Sequence, residues 1–194
     1  MNIENRIYQL ADEILGFDFQ QYKNTTGREI LGVCINSEKR EFEHLFGNFP
    51  ENFLPTINRQ FHDTIAGYRV DVGAHFQEFQ FSADVFLLNK NNLKGSDKEI
   101  DSLLLHEICH MIIDSSSLNE IDAIIGEKDK YHGGKLYKKT DIENERITRH
   151  TVQFCNLLST ACEIAAKKYP NEFNDRWDCI NSAMRYDLKG SLRI

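Results

Sequence analysis

Residues 103–114 read LLLHEICHMIID and place two histidines four positions apart inside an otherwise apolar run. On an α-helix, residues i and i+4 lie one turn apart on the same face, so His106 and His110 extend in the same direction. Leu103, Leu104 and Met111 predict a second face that is buried in a core. The stretch therefore predicts a core helix with one face lining a site.

The pattern His-Glu-x-x-His is typical of zinc hydrolases. Two imidazoles one turn apart can reach a single ion, and Glu107 lies about 100° around the helix axis from His106, close enough to approach a water on that ion. Zinc with three protein ligands lowers the pKa of such a water to about 7, and a glutamate can take its proton. We therefore predict Zn²⁺ as cofactor, His106 and His110 as ligands and Glu107 as the catalytic base. Cys109, inside the motif, is better interpreted as a small buried apolar group.

At least one further protein ligand is required, and the residues alone leave three alternatives. His132 lies in YHGGKL, where the paired glycines allow a tight loop. Asp114 lies four residues beyond His110 and is better placed to accept a hydrogen bond from a ligand. Glu143 or Glu145, near the start of a helical pattern, is the other common solution in zinc peptidases.

The periodicity of apolar residues predicts helices on both sides of a small sheet. Ser96 and Glu99 form a capping box, which predicts that the helix carrying the motif begins near Asp97. We predict an N-terminal helix ended by Gly16. The other predicted elements are a short helix over residues 37–47, two or three strands over residues 68–89 with ADVFLLN (83–89) as the edge strand, a long helix over residues 141–168 and a final helix over residues 174–188.

Composition limits the classes of protein to consider. The chain has 194 residues, 41% hydrophobic and 27% charged, which suits one globular domain. Its formal net charge of −7 disfavours nucleic acid as a partner. The five cysteines form no Cys-x-x-Cys pair and are predicted to be reduced, buried thiols. Without a signal-peptide pattern or an apolar run of membrane-spanning length, we expect a cytoplasmic protein without a membrane partner.

Residues 64–139 resemble the SprT-like zinc metallopeptidases. The matching motifs are TIAGY (64–68), FLLNKNNL (86–93), EIDSLLLHEICH (99–110) and YHGGKLY (131–137). The resemblance implies His106, His110 and His132 as metal ligands and Glu107 as the base. It also implies a protein or peptide substrate, and DNA-linked proteolysis is a known role within that family. A weaker resemblance connects ENERITRHTVQFCNLL (143–158) with the ImmA/IrrE-like peptidases, in which a glutamate would be the third ligand.

These observations predict an α+β, zincin-like fold in which a small mixed β-sheet packs against the active-site helix, with additional N- and C-terminal helices. We predict a single metallopeptidase domain over residues 1–194, with a core at about 60–140 and helical extensions at 1–50 and 141–194. The predicted reaction is hydrolysis of peptide bonds by a zinc-bound water with the help of Glu107. The alternative from another class is a non-catalytic interaction module in which zinc only stabilises the fold.

Overall fold

The structure is a computed structural model that describes residues 3–36, 41–46, 73–78, 82–89, 96–115, 124 and 152–191. These residues form helices at both ends of the chain and in its middle, and four strands between them. The helices are α1 (Ile3–Leu15), α2 (Phe19–Thr26), α3 (Asp97–Ser115), α4 (Val152–Lys168) and α5 (Arg176–Ser191). The strands are β1 (Glu29–Asn36), β2 (Glu41–Phe46), β3 (Gly73–Glu78) and β4 (Ala83–Asn89).

The four strands form one sheet in the order β2-β1-β4-β3. β1 and β4 are parallel, whereas β2 pairs with β1 and β3 with β4 in antiparallel fashion. The sheet is therefore mixed, as predicted, and together with the flanking helices it gives an α+β arrangement. Of the two or three strands predicted over residues 68–89, β3 and β4 are confirmed, and the remainder of that range lies outside the described residues.

Two predictions about the segments that form the sheet are wrong. The short helix predicted over residues 37–47 is contradicted, because Glu41–Phe46 is strand β2. In EFEHLF, Phe42 and Leu45 have helical spacing, but Phe42, His44 and Phe46 also alternate at the period of a strand. In the structure this segment pairs with β1, so the period of a strand is the one that applies. The region predicted to be a helical extension at 1–50 thus contributes two strands to the sheet.

The second error concerns the strand ADVFLLN, which was expected at the edge. It is β4, an inner strand between β1 and β3, and residues 83–88 are all at most 2% exposed. A strand buried on both faces is a nearly continuous apolar run, which is how this segment reads. Its one charged residue, Asp84, accepts hydrogen bonds from the Tyr22 hydroxyl at 2.7 Å and from Arg28 Nε at 2.8 Å.

Helix α3 begins where the sequence predicted. The Ser96 hydroxyl accepts a hydrogen bond from the Glu99 backbone N–H at 3.3 Å, and the Glu99 carboxylate accepts one from the Ser96 backbone N–H at 3.2 Å. These reciprocal bonds form the predicted capping box, which pairs backbone donors that the first turn of a helix leaves without intrahelical partners.

Helix α3 is the centre of the packing. It lies against β3 of the sheet and against α1, α4 and α5. Leu104, Leu105 and Ile108 share one core cluster with Phe86 and Leu88 of β4. The helix that carries both histidines is therefore held by the sheet and by the terminal helices together.

The terminal helices were largely predicted. Helix α1 ends at Leu15, and Gly16 follows it with a φ of +63°, the left-handed conformation that glycine adopts without strain. Val152–Lys168 confirms the later part of the long helix predicted from residue 141, and residues 141–151 lie outside the described residues. Arg176–Ser191 corresponds to the last predicted helix. No helix in the described ranges has the length and apolarity to cross a membrane.

Four of the five cysteines have described side chains, and all four are free thiols in the core, as predicted. They are Cys109, Cys155, Cys162 and Cys179. Burial raises the pKa of Cys155 to about 12, and burial likewise raises the pKa of Cys109 and Cys162. At neutral pH the thiols of Cys109, Cys155 and Cys162 are therefore protonated and behave as apolar groups.

A partly buried ion pair joins α1 to α3. Arg6 Nε donates to Asp101 Oδ1 at 2.9 Å, and a guanidinium NH₂ group contacts the other carboxylate oxygen. The side chains are 13% and 3% exposed, respectively. The same guanidinium reaches the exposed Glu172 at 2.7 Å, just before α5. Arg6 therefore connects the N-terminal helix, the central helix and the C-terminal region.

We expect Asp101→Asn to lower the free energy of unfolding by about 3 kcal/mol, because it leaves a largely buried guanidinium without its buried carboxylate. Glu172→Gln removes an exposed partner of the same guanidinium and should cost less than about 1 kcal/mol. Urea denaturation followed by circular dichroism measures both values. Equal effects from the two variants would contradict the assigned importance of the buried pair.

A second link joins α1 to the end of α4 through Glu13. Its carboxylate accepts hydrogen bonds from the Tyr169 hydroxyl, from Lys168 Nζ at 2.9 Å and from Gln9 Nε2 at 3.0 Å. These bonds, that from Tyr169 above all, lower the pKa of Glu13 from 4.5 to about 2. The carboxylate therefore stabilises the fold above pH 4.5, and this contribution disappears as the pH falls towards 2.

Glu13→Gln should consequently lower the melting temperature at pH 7, and the difference from wild type should shrink as the pH falls below 4.5. Thermal denaturation at several pH values between neutrality and the acid limit of the fold tests this. Asp12→Asn, which removes an exposed carboxylate one position earlier, controls for the loss of one negative charge. A pH-independent difference for Glu13→Gln would refute the linkage.

Candidate metal centre

The two histidines of α3 converge as the motif predicts. His106 Nε2 and His110 Nε2 are 3.1 Å apart, and their ring centroids are 4.8 Å apart with the ring planes at 70°. His106 is 3% exposed and His110 is half-buried. The pair therefore presents two nitrogen atoms to one point at the boundary between the core and more accessible space.

The nitrogen separation matches the requirement of a zinc ion. Two imidazole nitrogens each 2.0–2.1 Å from zinc and separated by a tetrahedral angle would lie roughly 3.3 Å apart. The observed 3.1 Å is within a few tenths of an ångström of that value. In the metal-free protein the same distance suits a hydrogen bond between the rings, in which one nitrogen donates and the other accepts. The two residues thus fit zinc with little rearrangement.

Burial favours the form of His106 that binds metals. Desolvation lowers the pKa of His106 from 6.5 to about 3, so the imidazole is neutral at physiological pH. A neutral imidazole carries the nitrogen lone pair that a metal needs, and a protonated one does not. The surroundings of His106 therefore prevent protons from competing with a metal at neutral pH.

Glu107 is brought to the same turn of α3. Glu107 is 7% exposed. Because it follows His106 directly in the helix, it lies about 100° around the helix axis from His106. A carboxylate there can reach a water beside the two imidazoles without being one of the ligands. The position therefore fits the predicted role of a base.

Phe154 of α4 packs against both histidines. Its ring stacks on His110, with centroids 4.2 Å apart and planes at 24°, and meets His106 edge to face at 5.0 Å and 68°. Phe154 is fully buried. The sequence placed Phe154 only within the predicted helix over residues 141–168, because a phenylalanine in the core and one that packs on the two histidines have the same periodicity.

The third ligand stays a prediction. His132, Glu143 and Glu145 all lie outside the described residues. Within the part of the chain that the structure describes, no group of three or more histidine, cysteine or acidic side chains is arranged to hold a metal. Asp114 is exposed near the end of α3, one turn beyond His110. The described residues thus include the two histidines predicted as ligands and the glutamate predicted as the base.

Three comparisons with known proteins found no similar protein. No family model, curated protein or solved structure matches this chain. The resemblance to SprT-like metallopeptidases therefore depends on the motifs alone, and the function has to be argued from the geometry of α3 and its neighbours.

We expect the purified wild-type protein to bind one zinc ion, and His106→Ala and His110→Ala each to lose it, because each removes one of two converging nitrogens. Metal content after dialysis, measured by inductively coupled plasma mass spectrometry, gives the stoichiometry. Cys109→Ala is the matched control: it truncates a buried side chain of the same helix that is not expected to bind zinc. Full zinc retention in both histidine variants would disprove the assignment.

The same measurement on His132→Ala, Glu143→Ala and Glu145→Ala separates the alternatives for the third ligand. The SprT-like resemblance predicts that zinc is lost from His132→Ala and kept by both glutamate variants. Retention in His132→Ala together with loss in a glutamate variant would replace His132 by that glutamate and favour the ImmA/IrrE-like interpretation.

Proposed function

We propose that this protein is a zinc-dependent metallopeptidase with a zincin-like fold, similar to the SprT-like family. The observation that carries the proposal is the convergence of His106 Nε2 and His110 Nε2 to 3.1 Å on a buried helix that also bears Glu107. A helix that only stabilised the core would gain nothing from placing His106, Glu107 and His110 within about one turn. Their presence in an apolar setting carries a cost that catalysis explains.

The sheet supports the same proposal. Helix α3 lies against β3, which is antiparallel to β4 and stands at the edge of the described sheet. An extended peptide can pair with an edge strand through main-chain hydrogen bonds. Because ADVFLLN, predicted as the edge strand, is the inner strand β4, the proposed peptide-binding edge is β3. A peptide on β3 would run beside the helix that carries the histidines.

The proposed mechanism divides the chemistry among named groups. Zinc, when bound, supplies charge stabilisation for a carbonyl oxygen and lowers the pKa of a water. His106 and His110 would hold the ion, with His132 as the proposed third ligand. Glu107 accepts the proton of the attacking water as the new C–O bond forms, and then delivers that proton to the amine when the C–N bond breaks. Glu107 thus acts first as base and then as acid.

The substrate we propose is a protein or peptide in an extended conformation. The formal net charge of −7 argues against general affinity for nucleic acid, so a DNA-linked role would require a localised basic surface. A cytoplasmic location is part of the proposal, because the four described cysteines are free thiols.

Glu107→Gln tests the catalytic proposal directly. Glutamine keeps the shape of the side chain but cannot take a proton, so we expect cleavage of fluorescently labelled, unfolded casein to fall about 10²- to 10⁴-fold while zinc is retained. Wild-type cleavage should stop on treatment with 1,10-phenanthroline and return on addition of zinc.

Asp97→Asn, at an exposed carboxylate in the first turn of the same helix, is the control and should cleave like wild type. Unchanged cleavage by Glu107→Gln would contradict the mechanism. Zinc-dependent thermal stability without any cleavage by wild type would favour the non-catalytic module.

A further inference from the structure

Phe154 lies on α4, outside the helix that carries both proposed ligands, and its ring packs on both of them. Its ring lies nearly flat on His110, with centroids 4.2 Å apart, and meets His106 edge to face at 5.0 Å. Stacked and edge-to-face contacts at these distances are favourable pairings of aromatic rings. The three rings therefore form a cluster that joins α3 to α4.

The cluster restricts a side-chain torsion that the helix leaves open. Rotation of an imidazole about its Cβ–Cγ bond has broad preferences, so a histidine on a helix does not aim its Nε2 by itself. The ring of Phe154 stacked on His110 opposes that rotation, and the edge-to-face contact with His106 restricts the other imidazole. With both rings held, their Nε2 atoms stay 3.1 Å apart. Ordering the ligands before binding reduces the side-chain entropy lost when an ion arrives.

We propose that Phe154 is a positioning residue for zinc: it fixes the orientations of His106 and His110, and so sets the affinity and geometry of the metal centre without touching the ion. The inference rests on the proposed function. If Phe154 has this role, α4 contributes to the metal centre, although the sequence motif lies in α3 alone.

The test compares two buried phenylalanines. Phe154 and Phe173 are both fully buried in the same core cluster, and within the described part of the chain Phe173 forms no ring pair with either histidine. Zinc affinity is measured by competition with a chromophoric chelator for wild type, Phe154→Leu and Phe173→Leu, each checked for folding by circular dichroism. We expect about a tenfold loss or more for Phe154→Leu, and less than about a threefold loss for Phe173→Leu.

A spectroscopic measurement separates positioning from loss of stability. The visible absorption of the cobalt-substituted protein depends on ligand geometry, so it should change in Phe154→Leu and match wild type in Phe173→Leu. If Phe154→Leu does not fold, Phe154→Met fills the space with a flexible chain that lacks a ring, and the same results are expected.

The outcomes distinguish the two proposals. Wild-type zinc binding with equal affinities and equal cobalt spectra in both leucine variants would overturn the role of Phe154 and leave the metallopeptidase proposal standing. Absence of zinc binding by the wild-type protein would overturn the proposed function and this inference with it.

Discussion

The structure depends on one constraint: α3 must be buried on nearly every side while it carries polar and ionisable side chains. The sheet lies on one side of α3, and α1, α4 and α5 pack around it. Burial of its leucines and isoleucines provides the main driving force for this arrangement. Each polar group buried with the helix then requires a hydrogen-bond or ion-pair partner, or a functional role that explains the cost of its burial.

Two different solutions to that requirement are visible along α3. In its first half, Asp101 is 3% exposed and is paired with Arg6, so its charge serves to hold α1 in place. One turn further, His106 remains neutral because burial lowers its pKa to about 3. Its ring packs against the rings of His110 and Phe154. The first half of the helix is thus stabilised by an ion pair, and the second half is organised around aromatic rings and nitrogen lone pairs.

The sequence predicted well those features that depend on local periodicity. The start of α3, the end of α1 at Gly16 and the convergence of His106 and His110 follow from helix geometry and capping. Pairing between strands distant in sequence was not predictable in the same way. Whether 83–89 is an inner or an edge strand depends on β1 and β3, and EFEHLF fits two periods until β1 is placed beside it. The proposed role of Phe154 could not be predicted for a related reason, because only tertiary packing brings its ring to the histidines.

The central claim is that α3 supplies two nitrogen ligands to zinc within an apolar cluster. X-ray absorption at the zinc edge of the metal-loaded protein tests it most directly, because it reports the elements and distances around the ion. The account predicts only nitrogen and oxygen neighbours at about 2.0–2.1 Å, with the outer-shell scattering characteristic of imidazole. Sulfur neighbours at about 2.3 Å, or a spectrum without imidazole scattering, would show that zinc binds elsewhere and would contradict the account.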